Sequence, residues 1–221
     1  MKKRSKVIID LINNNINIEQ AFEILNLLLE DINNKKIKTW LNNEINGYEN
    51  EKDVPQYRIL NTNVKGNYIA GRFQCTHQDI PLKPEHVKEY SKISITASVS
   101  QIMQLSNAEK EGKSHCLSIP LHQLIAQDIS LINGDVISAY RELSVYALTN
   151  LLSKIKLKLI SIFKKLEKQY GNLDDYYIDF TDKRKEENTV KSLITIINDN
   201  SKHIGDNNTI KNSIIGDDNE N

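Results

Sequence analysis

The acidic and the arginine side chains that could do chemistry lie in different parts of the chain. Asp174, Asp175 and Asp179 form an acidic cluster, and such carboxylates can hold Mg²⁺ or act as acid and base. Arg58 and Arg141 lie in apolar segments, where a guanidinium forms a structural ion pair or clamps a phosphate or carboxylate. One interpretation is therefore a metal-dependent nuclease or nucleotide hydrolase that uses Asp174 and Asp175 with Arg58 or Arg141.

Cysteines and histidines supply a second set of candidates. Cys75 and His77 are two residues apart, and His115 precedes Cys116, so four zinc ligands would be available if the two segments met in space. Neither pair has the usual zinc-ligand spacing, and no local pattern supports a Cys/His nucleophile. The 8 glycines are scattered, and none forms a phosphate-binding loop after a strand. We expect no metal and no cofactor, and the chain has no recognisable catalytic motif.

Charge and hydropathy restrict the partners. The chain has 221 residues with 29 Lys plus Arg and 29 Asp plus Glu, a formal net charge of zero, which disfavours sequence-independent nucleic-acid binding. No apolar run is long enough to span a membrane, and the apolar stretch after the basic start is too short for a signal peptide. Two cysteines do not make a disulfide framework, so we expect a cytoplasmic protein.

Apolar spacing predicts helices at both ends of the body. The first 48 residues contain three helical stripes; Asn17 and Gln20 have capping-box spacing, and Gly47 is a C-cap candidate. A seam follows Ser144, an N-cap candidate, and ends at Gly171. Its residues repeat at spacings of four and three: Leu148, Leu152, Ile155, Leu159, Ile162 and Leu166.

Strand patterns fill the region between these helices. Residues 57–60, 64–69 and 135–143 are strand candidates, and the second of these contains Lys65-Gly66-Asn67. The predicted fold is α+β, with an N-terminal helical pair, a small mixed or antiparallel sheet and a long C-terminal helix. We divide the chain into a body at 1–182, a linker at 183–192 and a β-prone oligomerisation tail at 193–221.

Five segments resemble one bacterial family in their order along the chain. They are Trp40-Leu41-Asn42-Asn43-Glu44-Ile45-Asn46-Gly47-Tyr48, Pro55-Gln56-Tyr57-Arg58, Leu117-Ser118-Ile119-Pro120-Leu121, Ser138-Ala139-Tyr140-Arg141-Glu142-Leu143-Ser144 and Leu173-Asp174-Asp175. Over residues 5–180 they are similar to the AbiTii domain of bacterial abortive-infection (phage-defence) proteins. The resemblance implies an effector or toxin part of an antiviral-defence module and brings no catalytic set. The family-motif residues are Trp40, Glu44, Gly47, Tyr48, Pro55, Tyr57, Arg58, Arg141, Asp174 and Asp175.

The tail contains an internal repeat. The segment Ile204-Gly205-Asp206-Asn207-Asn208 recurs eleven residues later as Ile215-Gly216-Asp217-Asp218-Asn219. Three interpretations compete: a disordered polar tail, a β-solenoid rung that resembles a hexapeptide repeat, and an intermolecular cross-β motif. The third resembles the RIP homotypic interaction motif and bacterial amyloid-signalling motifs, from which the chain departs at Lys202 and His203.

The two β interpretations share one physical basis. Two copies of the repeat are too few to bury a solenoid face, and a cross-β zipper requires other chains. Both therefore predict that the tail gains structure when copies associate. The oligomerisation residues would be Ile204, Gly205, Asn208, Ile210, Ile214, Ile215, Gly216 and Asn219.

Resemblance and tail together give a functional hypothesis. We expect a phage-defence effector that self-assembles into oligomers or filaments through its tail. The alternatives are the nuclease or hydrolase described above and a non-catalytic adaptor that recruits a partner defence protein.

Overall fold

A computed structural model describes residues 3–110, 116–199, 202–203 and 209–210. The helices in this part of the chain are α1 (Lys6–Asn13), α2 (Ile18–Leu28), α3 (Lys35–Asn46), α4 (Pro84–Tyr90), α5 (Val99–Lys110), α6 (Gln123–Ile129), α7 (Val145–Tyr170) and α8 (Lys183–Asn198). The strands are β1 (Ile59–Asn61), β2 (Asn63–Ala70), β3 (Phe73–Asp79), β4 (Lys92–Ser94), β5 (Cys116–Leu121), β6 (Gly134–Ser144), β7 (Lys202–His203) and β8 (Thr209–Ile210). The α+β prediction is confirmed.

Two of the three N-terminal helices begin at an asparagine whose side chain caps the first turn. The Asn17 side chain accepts the backbone N–H of Gln20, and the Gln20 side chain accepts the backbone N–H of Asn17. The predicted capping box therefore forms at the start of α2. Asn34 caps α3 by accepting the Ile37 N–H. Each helix buries one apolar face in a core that it shares with α5, α7 and α8.

The main sheet has four antiparallel strands in the order β3-β2-β6-β5. The strand predicted at residues 64–69 is confirmed, because β2 runs through Lys65, Gly66 and Asn67 and pairs with strands on both sides. A Cβ at Gly66 would lie 2.1 Å from the Ser138 carbonyl oxygen. The glycine therefore marks a close approach of two strands, which is a common reason for glycine in a strand.

One face of this sheet is covered and the other is open among the described residues. Helix α6 packs on β6, and a small apolar cluster fills the interface with Val64, Ile80, Ala126, Val136 and Ala139. Lys65, Asn67, Ser138, Tyr140 and Glu142 alternate with these buried positions along β2 and β6. The alternation places their side chains on the opposite face. A separate two-stranded sheet joins β1 to β4.

The longest helix follows the sheet without an intervening loop. Strand β6 ends at Ser144 and α7 begins at Val145, where the Ser144 hydroxyl accepts the Tyr146 N–H as the predicted N-cap. Gly171 follows the last turn, as predicted. Five of the six seam residues are buried and Leu152 is half-buried. Helix α7 packs chiefly against other helices, namely α1, α2, α5 and α8.

Helix α8 corrects the prediction for residues 183–197. The stretch expected to be a linker and the β-prone run from Leu193 to Ile197 form one helix of 16 residues. The Asp182 side chain caps it by accepting the Lys185 N–H. Thr189, Leu193 and Ile197 recur every four residues and are buried. Packing of this stripe on α7 outweighs the strand preference of the isoleucines.

Among the described residues, no helix combines the length and the apolar character that crossing a bilayer requires.

Candidate functional site

A buried polar network surrounds Glu44. Glu44 lies on the buried face of α3, one turn after Trp40 and one turn before Tyr48. Tyr57 and Arg58 come from the short 3-10 turn Gln56–Arg58 that precedes β1. The α3 carboxylate and the Arg58 guanidinium are both completely shielded from solvent. Five of the ten family-motif residues therefore meet at one point in the core.

The hydrogen bonds in this network satisfy almost every polar atom it contains. Glu44 Oε2 accepts Arg58 Nη2 at 2.7 Å, and Oε1 accepts Arg58 Nε at 2.9 Å. The hydroxyls of Tyr48 and Tyr57 each donate to Oε1 at 2.6 Å. Trp40 Nε1 donates to the Tyr57 hydroxyl at 2.8 Å. Such a bidentate pair with additional donors is the arrangement in which a buried ion pair is tolerated.

Arg58 also joins the network to the segment before α5. Its Nη1 donates to the carbonyl oxygens of Ile95, at 3.1 Å, and Ala97, at 2.7 Å. Gly47, with φ of +96°, ends α3 next to the same segment, and the Tyr48 N–H donates to the Thr96 carbonyl. The guanidinium thus fixes α3, the 3-10 turn and the chain before α5 relative to one another.

Electrostatics keep this network in one protonation state. Burial raises the pKa of Tyr48 and of Tyr57 far above the ordinary value, and the adjacent Glu44 carboxylate raises both further. Burial alone would lower the pKa of Arg58, but the charge of Glu44 and the hydrogen bonds to it raise that pKa. Both tyrosines are therefore neutral donors and Arg58 is a permanent cation. Because no member of the charged pair reaches solvent, the network positions the fold and does not contact a solute.

One member of the acidic cluster after α7, Asp174, has a structural role. Asp174 Oδ1 accepts the Lys6 N–H at 2.6 Å, and Glu167 Oε1 accepts the Ser5 N–H at the same distance. These carboxylates satisfy the first amide groups of α1 and are favourable beside its positive end. Asp175 and Asp179 are exposed. Of the two carboxylates proposed for catalysis, Asp174 is thus already used as a helix cap.

Arg141 differs from Arg58, because no carboxylate of the described residues pairs with it. It lies on β6 opposite Val64 and Ile119. Its Nη1 makes a long contact of 3.4 Å with the Lys92 carbonyl, and its Nε is enclosed without an acceptor. Thus the two arginines that the sequence placed in one category have different surroundings.

A polar cluster on the open sheet face was missed by sequence reasoning. Lys65 Nζ lies 2.8 Å from Glu142 Oε2, and the hydrogen bond to Glu142 raises the pKa of Lys65. The Nδ1 atom of His77 lies 2.9 Å from the Tyr140 hydroxyl, and the backbone N–H of His77 donates to Asn67 Oδ1. His77 has φ of +54°, in the left-handed region where a non-glycine residue is strained. The signal in the sequence was the alternation of polar residues in 138–142.

Comparison with known proteins decides the family. The sequence profile named AbiTii matches residues 5–192. The chain belongs to the AbiTii family. The family name associates it with abortive-infection defence against phage. No curated protein and no solved structure gives a significant match.

The AbiTii match includes the Glu44 network, the sheet and most of α8, and it ends before the tail. The proposed oligomerisation residues of the tail lie outside the described residues, with the exception of Ile210. That residue belongs to β8, which pairs antiparallel with β7 through Lys202 opposite Ile210 and His203 opposite Thr209. Self-assembly through the tail therefore stays a prediction.

The AbiTii sheet keeps the two cysteines apart. Cys75 lies on β3 and Cys116 on β5, the two outer strands of the four. Three strand spacings of about 4.8 Å separate outer strands by about 14 Å, so these segments do not meet as zinc ligands would. His115 lies outside the described residues. Within the described part of the chain, no group of three Cys, His, Asp or Glu side chains could hold a metal.

Proposed function

We propose that this AbiTii chain is an effector of antiviral defence whose activity depends on assembly through the segment after α8. The family match supports the defence role. The observation that carries the assembly is the pairing of β7 with β8, two strands of two residues each. An isolated two-stranded hairpin is at best marginally stable in water, and additional strands stabilise it. Further copies of the same isoleucine-rich segment would supply such strands.

The sequence of the tail suits this association. Its repeated Ile-Gly-Asp-Asn/Asp pattern places isoleucines, glycines and asparagines at similar spacing. Identical isoleucines can interdigitate between stacked copies, and asparagines can form ladders. The adaptor alternative is that a partner defence protein docks on the tail. In that case the purified chain would be a monomer.

The enzyme alternative has less support. Arg58 is sealed in the core against Glu44, so a substrate phosphate does not reach it. Asp174 caps α1. The remaining pair, Asp175 and Arg141, would have to act without the two residues that the hypothesis combined with them. A loss of defence in Asp174→Asn with an unchanged melting temperature would favour catalysis.

The test compares the full chain with the double variant Ile204→Asp and Ile215→Asp. Light scattering coupled to size exclusion should give an oligomer for the parent and a smaller species for the variant. The melting temperature should be equal in both, because the core of the described residues ends at Ile197, before both substituted positions. Protection of bacteria against phage should be lost together with the oligomer. A parent chain that is monomeric at high micromolar concentration contradicts assembly.

A charge-matched control uses the same substitution outside the tail. Ile9 is an exposed isoleucine on α1, and Ile9→Asp adds the same charge at a solvent-facing position. The control should keep both the oligomer and the defence phenotype. If Ile9→Asp abolishes the phenotype as the tail variants do, the loss is due to added charge and not to the tail.

A further inference from the structure

Strand β3 is an open edge of the four-stranded sheet. It pairs with β2 on one side, and no described strand pairs with its other side. Every residue of β3 except Cys75 is exposed, and Phe73 exposes 75% of its surface. Residues 73–78 contain no Asp, Glu, Lys or Arg. An uncharged exposed edge strand is a template for pairing with another strand.

The hairpin turn determines which backbone groups of β3 face outward. Ala70 and Phe73 pair across a two-residue turn that contains Gly71, with φ of +61°. Pairs alternate between hydrogen-bonded and non-hydrogen-bonded in an antiparallel ladder. Phe73 and Cys75 therefore bond to β2, and Gln74 and Thr76 direct their N–H and C=O groups to the open side. The Gln78 side chain, at 3.3 Å from the Thr76 carbonyl oxygen, is a weak competitor there.

A β-bulge at His77 limits the length of this edge. The register between β2 and β3 shifts between Gly66 and Tyr68, and His77 takes the left-handed conformation while Asn67 holds its N–H. The bulge bends the strand and ends the regular alternation. Only residues 73–76 offer a straight edge, so a partner strand has one main register available.

We propose that β3 is the interface for a second copy of this chain, paired antiparallel about a two-fold axis at Cys75. In that register Gln74 of each copy lies opposite Thr76 of the other, and the outward groups exchange four hydrogen bonds. The outward groups match themselves when the strand is reversed, and residues 73–78 carry no Asp, Glu, Lys or Arg that a second copy would place opposite its own like charge. These two properties favour a second copy as the occupant. The two sheets then form one sheet of eight strands. This contact is separate from the tail and does not depend on the proposed function.

The geometry at the axis supplies a test. Cys75 faces Cys75 of the other copy in a non-hydrogen-bonded pair, with Cα atoms about 4.5 Å apart, within the range for a disulfide. Diamide would oxidise the two thiols and take up the two electrons and two protons as the S–S bond forms. A cysteine at position 73 would be offset by four residues, about 13 Å along the strand, which is too far for a bond.

The experiment uses the full chain with Cys116→Ser, Ile204→Asp and Ile215→Asp, so that the tail does not contribute. Diamide should give a covalent dimer through Cys75. Moving the thiol with Cys75→Ser and Phe73→Cys should lower the cross-linking rate about ten-fold or more, although position 73 is more exposed. Equal or faster cross-linking at position 73 indicates random collision and overturns the proposal.

A second variant tests the pairing itself without changing the cysteine. Gln74→Lys puts like charges of both copies beside the two-fold axis and should suppress the Cys75 cross-link. Gln104→Lys adds the same charge at an exposed position of α5 and should leave cross-linking unchanged. Equal cross-linking in both variants, or no cross-link in the parent, overturns the interface.

Discussion

Arg58 and Glu44 form a completely buried ion pair with 2.7 Å between Nη2 and Oε2. Taking both charges out of water is costly, and their mutual attraction with the surrounding hydrogen bonds offsets that cost. Removing one partner leaves the other buried and unpaired. The pair therefore makes the fold dependent on two residues that lie 14 positions apart in the sequence and on different elements.

Replacement of Arg58 by methionine should lower the free energy of unfolding by about 3–5 kcal/mol, because Glu44 is then an uncompensated buried charge. The measurement is urea unfolding followed by circular dichroism. Lys65→Met breaks the Lys65–Glu142 pair on the open sheet face and should cost much less, since water solvates the remaining carboxylate. Similar losses in the two variants would show that burial does not determine the effect.

Glu186 makes stability depend on pH in a defined direction. The Asn33 N–H, donated to Oε1 at 2.6 Å, lowers the pKa of Glu186 below 4.5. A carboxylate with a lowered folded-state pKa contributes stability above its unfolded-state pKa and loses it as pH falls through the folded-state value. The melting temperature of the chain should therefore exceed that of Glu186→Gln at neutral pH, and the difference should shrink below pH 4.5.

The neighbouring Glu187 provides the control for this pH dependence. Glu187 is exposed on α8, so Glu187→Gln should keep the parent's profile of melting temperature against pH. A Glu186→Gln profile that runs parallel to that of the parent at all pH values would contradict the assignment.

Lys158 connects the end of α8 to the Glu44 network. Its Nζ donates to the carbonyl oxygens of Ile196, at 2.7 Å, and Asp199, at 2.5 Å, and lies 4.8 Å from the centre of the Tyr57 ring. Burial lowers the pKa of Lys158. Lys158→Met should cost about 1–3 kcal/mol, because the carbonyls lose their donor. Hydrogen exchange should become faster in the last turn of α8 and stay unchanged in α2.

Asp174 should contribute to stability and not to defence. Asp174→Ala removes the acceptor of the Lys6 N–H and should lower the free energy of unfolding by about 0.5–2 kcal/mol, as for other helix caps. Asp174→Asn keeps an oxygen acceptor and should lose less. Phage protection by Asp174→Asn at the level of the parent would agree with a capping role, and its loss without destabilisation would contradict it.

Local features of the fold could be predicted from the sequence. The capping box at Asn17, the N-cap at Ser144 and the α7 seam depend on residues within a few positions of one another, and the structure confirms them. Helix α8 could not be read in the same way. Its buried face contains Glu186 and Thr189 beside Leu193 and Ile197. Two polar residues interrupt the apolar pattern of a helix, and their burial is explained only by their contacts in the fold, such as the Asn33 N–H that Glu186 accepts.

The Glu44 network shows a different limit. The family resemblance selected Trp40, Glu44, Tyr48, Tyr57 and Arg58 without indicating that they touch. Their contacts depend on how α3 and the 3-10 turn cross in space, and on two carbonyl groups near residue 96. Backbone carbonyls carry no sequence signature, so the sequence alone could not decide between a structural and a phosphate-binding role for Arg58.

The direct junction of β6 and α7 has a mechanical consequence. With 26 residues and a rise of 1.5 Å per residue, α7 extends about 39 Å from the sheet. No loop separates strand from helix, so a tilt imposed on β6 acts directly on α7 and on the helices α1, α2, α5 and α8 that pack against it. A small displacement where the sheet meets a neighbour would become a larger one at the remote end, beside Ser5 and Asp174.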